Sequence, residues 1–186
     1  MKKIILLLSI TAIANITFAQ GKYFTKTGKI DFDATAQKSP EDIKAINKST
    51  TMVIDTKTGD MQFLVLMKGF EFTRSLMQEH FNENYVESTK FPKAEFKGAI
   101  TDNAAVNYTK DGTYKVKVKG KLTMHGVTKD TESDGVITVK AGKITATATV
   151  VALLADYKIS VPTLVADKVA KSAKINISCA LEPLKK

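Results

Sequence analysis

Tryptophan is absent, cysteine and arginine occur once each (Cys179, Arg74), and histidine occurs twice (His80, His125). Each scarcity closes a class of function. One cysteine cannot form an intrachain disulfide, so stability must come from apolar burial and strand pairing. The two histidines are far apart in sequence, without a Cys or His companion at metal-ligand spacing or an HExxH pattern, so no metal is expected. No GxSxG, Walker loop or GxGxxG occurs, and the chain offers no paired nucleophile and base. No catalytic residue and no cofactor is therefore expected. The poverty of arginine also bears on partners. The net charge is +9, but the lysines are scattered and form no block. Nucleic-acid binders cluster their basic groups and favour the arginine fork, so no nucleic acid is expected. The excess charge reads as solubility or attraction to anionic surfaces.

Long apolar runs are missing too, except at the N-terminus. Lys2 and Lys3 precede an apolar stretch from Ile4 to Phe18, and Thr17-Phe18-Ala19 places small residues where a signal peptidase reads. The stretch is shorter than the ~20 residues of a spanning helix. Residues 1–19 read as a cleaved signal peptide and 20–186 as one domain, periplasmic or secreted. No Cys follows the cut, which excludes a lipoprotein anchor there.

The remainder reads as an all-β chain of about eight antiparallel strands. Ile30, Phe32 and Ala34 share a face of the first, and Ile43 to Asp55 reads as the second, or as two short ones. Met61 to Lys68 is apolar on both faces, so one face sees the interior and the helix that follows is the nearest cover for the other. Lys93 to Thr101 resumes the strand rhythm. Tyr114 to Met124 alternates most clearly, with Val116, Val118, Gly120 and Leu122 opposed to four lysines. Val127 to Lys140 and Lys143 to Leu154 follow, joined by a tight turn at Ala141-Gly142. A longer connection with a short helix at Val165 to Ala170 precedes the last strand, Lys174 to Pro183. Cys179 lies on the apolar face of that strand and reads as a core residue; the alternative is a reactive thiol, or one that joins a homodimer. Strands near ten residues long suit either a closed barrel, which removes sheet edges, or a two-sheet sandwich.

The stretch Gly69 to Gly98 breaks this rhythm. It holds five of the nine Phe and the only Arg. Ser75 with Gln78 fits a capping box, and a short helix, about 73–82 with its flanks, follows. Leu76 and His80, and Met77 and Phe81, stack four apart. An insertion so apolar must cover something apolar. We read it as the lid of a cavity. Candidate lining residues are Phe63, Val65 and Met67 on the third strand, and Phe70, Phe72, Leu76, Met77 and Phe81 in the insertion. Phe91 and Phe96 follow it, and Leu122, Met124, Val150 and Leu154 come from later strands. Arg74 is the candidate for an anionic head group. The alternative is that the same side chains fill a packed core.

Several segments resemble the YceI-like family: Leu122 to Lys129 (LTMHGVTK), Gln78 to Asn82 running into Tyr85, Lys90 to Gly98 (KFPKAEFKG), and Asp156 to Ile159. The resemblance implies a lipocalin-like antiparallel eight-stranded barrel extended into an apolar tunnel. It further implies export and binding of a polyisoprenoid or other long-chain lipid. The function expected is non-catalytic sequestration or carriage of such a lipid, with transient contact to a membrane surface. The competing readings are a ligand-free structural or stress-response barrel, and an enzyme on a small apolar substrate.

Overall fold

Strand β1 (Lys22–Thr35) pairs antiparallel with β2 (Lys44–Asp55) along one edge and with β9 (Val169–Pro183) along the other, and this double pairing closes the sheet. The computed structural model describes residues 21–184; the expected signal segment, 1–19, lies outside the described residues. Between the two partners of β1 run β3 (Asp60–Leu66), β5 (Lys93–Ile100), β6 (Gly112–Met124), β7 (Val127–Lys140) and β8 (Lys143–Leu153). Around the wall the order is β1-β9-β8-β7-β6-β5-β3-β2, an eight-stranded antiparallel barrel, and a two-residue strand β4 (Glu71–Phe72) adds to β2 outside the ring. Register shifts between Thr25 and Gly28 and between Gly28 and Ile30 bend β1 at its midpoint, the device by which a strand turns a barrel corner. The barrel, not the sandwich, is the architecture.

Turn chemistry fixes the hairpins. His125-Gly126 joins β6 to β7 and Ala141-Gly142 joins β7 to β8, with φ of 51° and 74° in the first and 49° and 74° in the second. Positive φ at both central residues is the primed turn whose twist matches the strands it joins. Alternation then decides what points inward. On β6, Val116 is buried while Lys115, Lys117, Lys119 and Lys121 are exposed. Lys117, Lys119 and Lys121 meet Asp134, Glu132 and Asp130 across β7, for example Lys119 with Glu132 at 2.9 Å, an exposed ladder of small energetic weight.

Two apolar clusters fill the two ends. At the far end Met52, Ile54, Met61, Ile137, Ile144, Cys179 and Leu181 pack together, and the β5–β6 connection closes beneath them with Val106 and Tyr108. Asn103 holds that connection, donating to Thr56 O at 2.9 Å and accepting from Tyr108 Oη at 2.7 Å. At the mouth end Ile30, Ala34, Met67, Phe70, Phe81, Ala152, Leu154 and Ile159 form the second cluster.

Four local expectations are corrected. β3 ends at Leu66 and passes into a 3₁₀ turn, Met67–Gly69; the helix after it caps the barrel end, not its flank, and leaves Leu66 50 % exposed. Helix α1 (Ser75–His80) has Arg74 at its N-cap with no side-chain cap, because Ser75 is already helical; Gln78 Oε1 reaches back past the cap and accepts from Phe72 N at 3.1 Å. The helix does not stop near 82. Asn82 donates to Gln78 O at 2.9 Å from within the coil, and a π-helical turn carries it through Phe81–Tyr85. The expected helix Val165–Ala170 is a 3₁₀ turn at Thr163–Val165, and β9 begins at Val169, which pairs with Thr35. The β-branched Val169 serves the open side of β1 better than a helix would.

β2 and β3 pair over only four residue pairs, Thr51 to Ile54, and then diverge. Asn47, fully buried, bridges the divergence: its Nδ2 donates to Leu66 O at 3.0 Å and its Oδ1 accepts from Ser49 N at 2.9 Å. Asn47→Ala removes both hydrogen bonds of a fully buried side chain and is expected to lower stability by about 1–3 kcal/mol. Lys119→Ala on the exposed ladder is expected to cost under ~1 kcal/mol. Urea unfolding midpoints of the two variants, compared with the parent, check the contrast.

Candidate functional site

The ends of the barrel are bulky and its waist is not. Gly98 and Gly120 face each other across β5 and β6, Gly135 pairs with Ala148 across β7 and β8, and Ala146 lies next along the inner face of β8. The Phe96 ring lies over the Gly98–Gly120 pair, where a Cβ on either glycine would come within 2.6 Å of it. That ring fills the space over the pair, whereas Gly135, Ala146 and Ala148 border space that no side chain fills. The result is a cavity of about 400 Å³ running between the two apolar clusters. This is within the usual range for small-molecule sites.

The roof is aromatic. Phe32, Phe70, Phe72 and Phe81 pack edge to face or tilted, with centroids 5.0 Å apart for Phe72 and Phe81 and 5.6 Å for Phe32 and Phe81. Such pairs are worth about 0.5–1.5 kcal/mol beyond area burial. They anchor a helix too short to hold itself. Phe81 and Val86 are buried, Met77 is half-buried, and Leu76 borders the mouth while 55 % exposed.

The structure brings Phe63, Val65, Met67, Phe70, Phe72, Arg74, Leu76, Met77, Phe81, Phe96, Leu122, Met124, Val150 and Leu154 to the border of one cavity. Phe91 is elsewhere. Its ring packs edge-on against His125, centroids 4.6 Å apart, and fills the space a side chain at Gly126 would need. The sequence reading missed Ile30, Phe32, Ile43, Met52, Met61, Val116, Val118, Ile137, Ile175 and Ile177, which also border the cavity. Strand alternation marks most of them as inward, but not which inward residues face a void.

His125 in the β6–β7 turn bonds to two segments distant in sequence. Its Nδ1 donates to Tyr157 O at 2.8 Å, and its Nε2 meets Glu87 Oε2 at 2.7 Å. The ring ties the β6–β7 turn to the end of the lid segment and to the 3₁₀ turn Leu154–Tyr157. Burial pushes the Tyr157 hydroxyl above its ordinary pKa and does the same to Tyr85 on the cavity border. Among the described residues no three His, Cys, Asp or Glu side chains group as metal ligands. Polar groups on the border are few: hydroxyls of Thr131, Ser133, Thr147 and Tyr85, and charges or imidazole at Glu41, Arg74, His80, Glu95 and Lys168.

Compared with known proteins, the YceI-like domain matches residues 9–181. The chain belongs to the YceI-like family. The solved structures similar to it include a polyisoprenoid binding domain from Saccharophagus degradans implicated in plant cell wall breakdown, at TM-score 0.75 and 13 % identity over 89 % of this chain and 99 % of that one. Burkholderia cenocepacia BcnA aligns at TM-score 0.65 and 14 % identity over 82 % and 96 % of the two chains. The Campylobacter jejuni YceI protein aligns at 0.55 and 20 % over 74 % and 81 %. At such identities the likeness carries the fold. No curated protein sequence matches the chain.

In this YceI-like barrel Cys179 is fully buried against Gly28, whose added Cβ would meet its Sγ at 2.7 Å, and burial pushes the thiol pKa up to about 11. That is the core residue expected, and it leaves no route to a disulfide-linked dimer from the folded chain. The native protein is expected to resist a thiol reagent at neutral pH and to react stoichiometrically once unfolded in denaturant. Rapid labelling of the native protein, followed by absorbance, would contradict the assignment.

Proposed function

We propose that this YceI-like protein is an exported, non-catalytic carrier that holds the hydrocarbon tail of a polyisoprenoid or other long-chain lipid in its barrel. The observation that carries the reading is a cavity of about 400 Å³ bordered almost wholly by aliphatic and aromatic side chains. A packed structural barrel would have no such void at its waist. Each buried methylene contributes roughly 0.8 kcal/mol, so a tail gains affinity with no specific polar contact. Phe63, Val65, Phe96, Leu122, Met124 and Val150 would line its path, with Met67, Phe70, Phe72, Leu76, Met77, Phe81 and Leu154 around the mouth. Methionines suit a pocket that must adapt to a flexible chain. The apolar N-terminal stretch with its small-residue cut supports a periplasmic or secreted location. No helix among the described residues is long and apolar enough to cross a membrane.

The mouth also suits brief contact with a membrane. Leu164, at 89 % exposure, stands on the turn before β9, and Leu66, Leu76 and Leu153 are exposed on neighbouring segments of the same end. Leu164→Asp is expected to reduce co-sedimentation with anionic vesicles while leaving the melting temperature unchanged.

Organic extraction of the purified protein followed by mass spectrometry should release a long-chain lipid in near-stoichiometric amount. Ala148→Phe, which fills the waist, should weaken a fluorescent fatty probe at least about tenfold, ~1.4 kcal/mol, in a protein that remains folded. No released lipid and no probe binding by the parent protein would end the carrier reading.

A further inference from the structure

Three charged side chains from three segments meet where the apolar wall ends. Glu41 stands in the β1–β2 connection, Arg74 caps α1, and Lys168 immediately precedes β9. All three border the cavity. Glu41 Oε2 takes the Arg74 guanidinium, and Glu41 Oε1 faces Lys168 Nζ at 3.7 Å. The adjacent acid, Asp42, is engaged by Lys44 at 3.0 Å. One carboxylate therefore stands between two cations, and the cluster keeps one positive charge uncompensated. Low-dielectric walls beside a charge concentrate its field at the opening. A planar guanidinium and an ammonium converging on one point are the donor set for a carboxylate or a phosphate.

We propose that this cluster seats the head of a single-chain amphiphile whose head group is anionic, a carboxylate or a phosphate monoester, with the tail running into the cavity. Glu41 sits where that head would sit and competes with it. The cluster also ties the lid to the rim, since Arg74 belongs to the lid and Glu41 and Lys168 to the barrel. A head group that takes Arg74 from Glu41 releases that tie as it binds. The inference rests on the tail-binding reading above and adds the selectivity that burial of hydrocarbon alone cannot supply.

Three probes sharing one saturated chain separate the two ideas: palmitate, hexadecyl phosphate and hexadecanol, each measured by displacement of a neutral fluorescent probe. Both anions should bind the parent protein roughly three- to tenfold tighter than the alcohol, a range reduced for the exposure of these side chains, and the gap should narrow as salt rises. Arg74→Gln and Lys168→Gln should each lower the affinity for the anions by more than that for the alcohol, narrowing the gap between them. Arg74→Lys should keep part of the preference. Glu41→Gln should do the opposite of the cation variants and tighten the anions, because it removes the competitor. All three positions are at least partly exposed, and thermal melts are expected to match the parent. Equal binding of anions and alcohol by the parent, or a preference that survives in both Arg74→Gln and Lys168→Gln, overturns the head-group assignment while the tail reading stands. Failure of all three probes to bind overturns both.

Discussion

Closure at β1 is the constraint on which the rest depends. β1 must pair with β2 and β9 at once, and the bends around Gly28 let one strand serve both. A closed wall has no edge to guard and a single interior, so every inward side chain competes for one volume. With eight strands that volume is barely more than side chains can fill. Size at each inward position therefore decides whether the barrel is solid or hollow. Gly135, Ala146 and Ala148 leave it hollow at the waist, Gly98 and Gly120 make room there for the Phe96 ring, and the methionine, isoleucine and phenylalanine clusters make it solid at both ends.

The lid follows from the same economy of space. A closed wall offers only its ends for covering. The apolar insertion after β3 could not lie on the flank, where Leu66 stays exposed, and instead lays Phe70, Phe72 and Phe81 on Phe32 over the opening. Its helix has no buried residue of its own between Ser75 and His80, so the aromatic contact, and not helix propensity, holds it down. The far side of the lid segment is pinned by His125 through Glu87, with Phe91 packed beneath the same ring. Within this YceI-like chain the His125-Gly126 turn is thus a fastening between the lid, the β6–β7 hairpin and Tyr157.

Function in this arrangement is a matter of gradient along one axis. The interior is hydrocarbon, the waist is hydroxyl-bearing on β7 at Thr131 and Ser133, and full charge appears only at the rim. An amphiphile has the same gradient. Burial supplies the affinity for its tail without discriminating between tails, and the few rim charges are the groups able to discriminate between heads.

The sequence by itself determined the strand alternation, the turn positions and the burial of Cys179, because these depend on neighbours two or three residues away and on the period of a pleated strand. It also determined that an apolar insertion follows β3. It misjudged what Phe91 touches and where β9 begins, since these depend on partners distant in sequence, His125 and Gly126 for the one and Thr35 for the other; it also misjudged two local bonds, Gln78 to Phe72 and Asn82 to Gln78, which decide the helix start and its continuation. Only the tertiary structure decided that the inward residues enclose a void and that Arg74 and Lys168 flank Glu41. A cavity is the volume left when eight strands close, and a charge cluster built from the β1–β2 connection, the lid and the approach to β9 exists only once closure has brought those three segments to one rim.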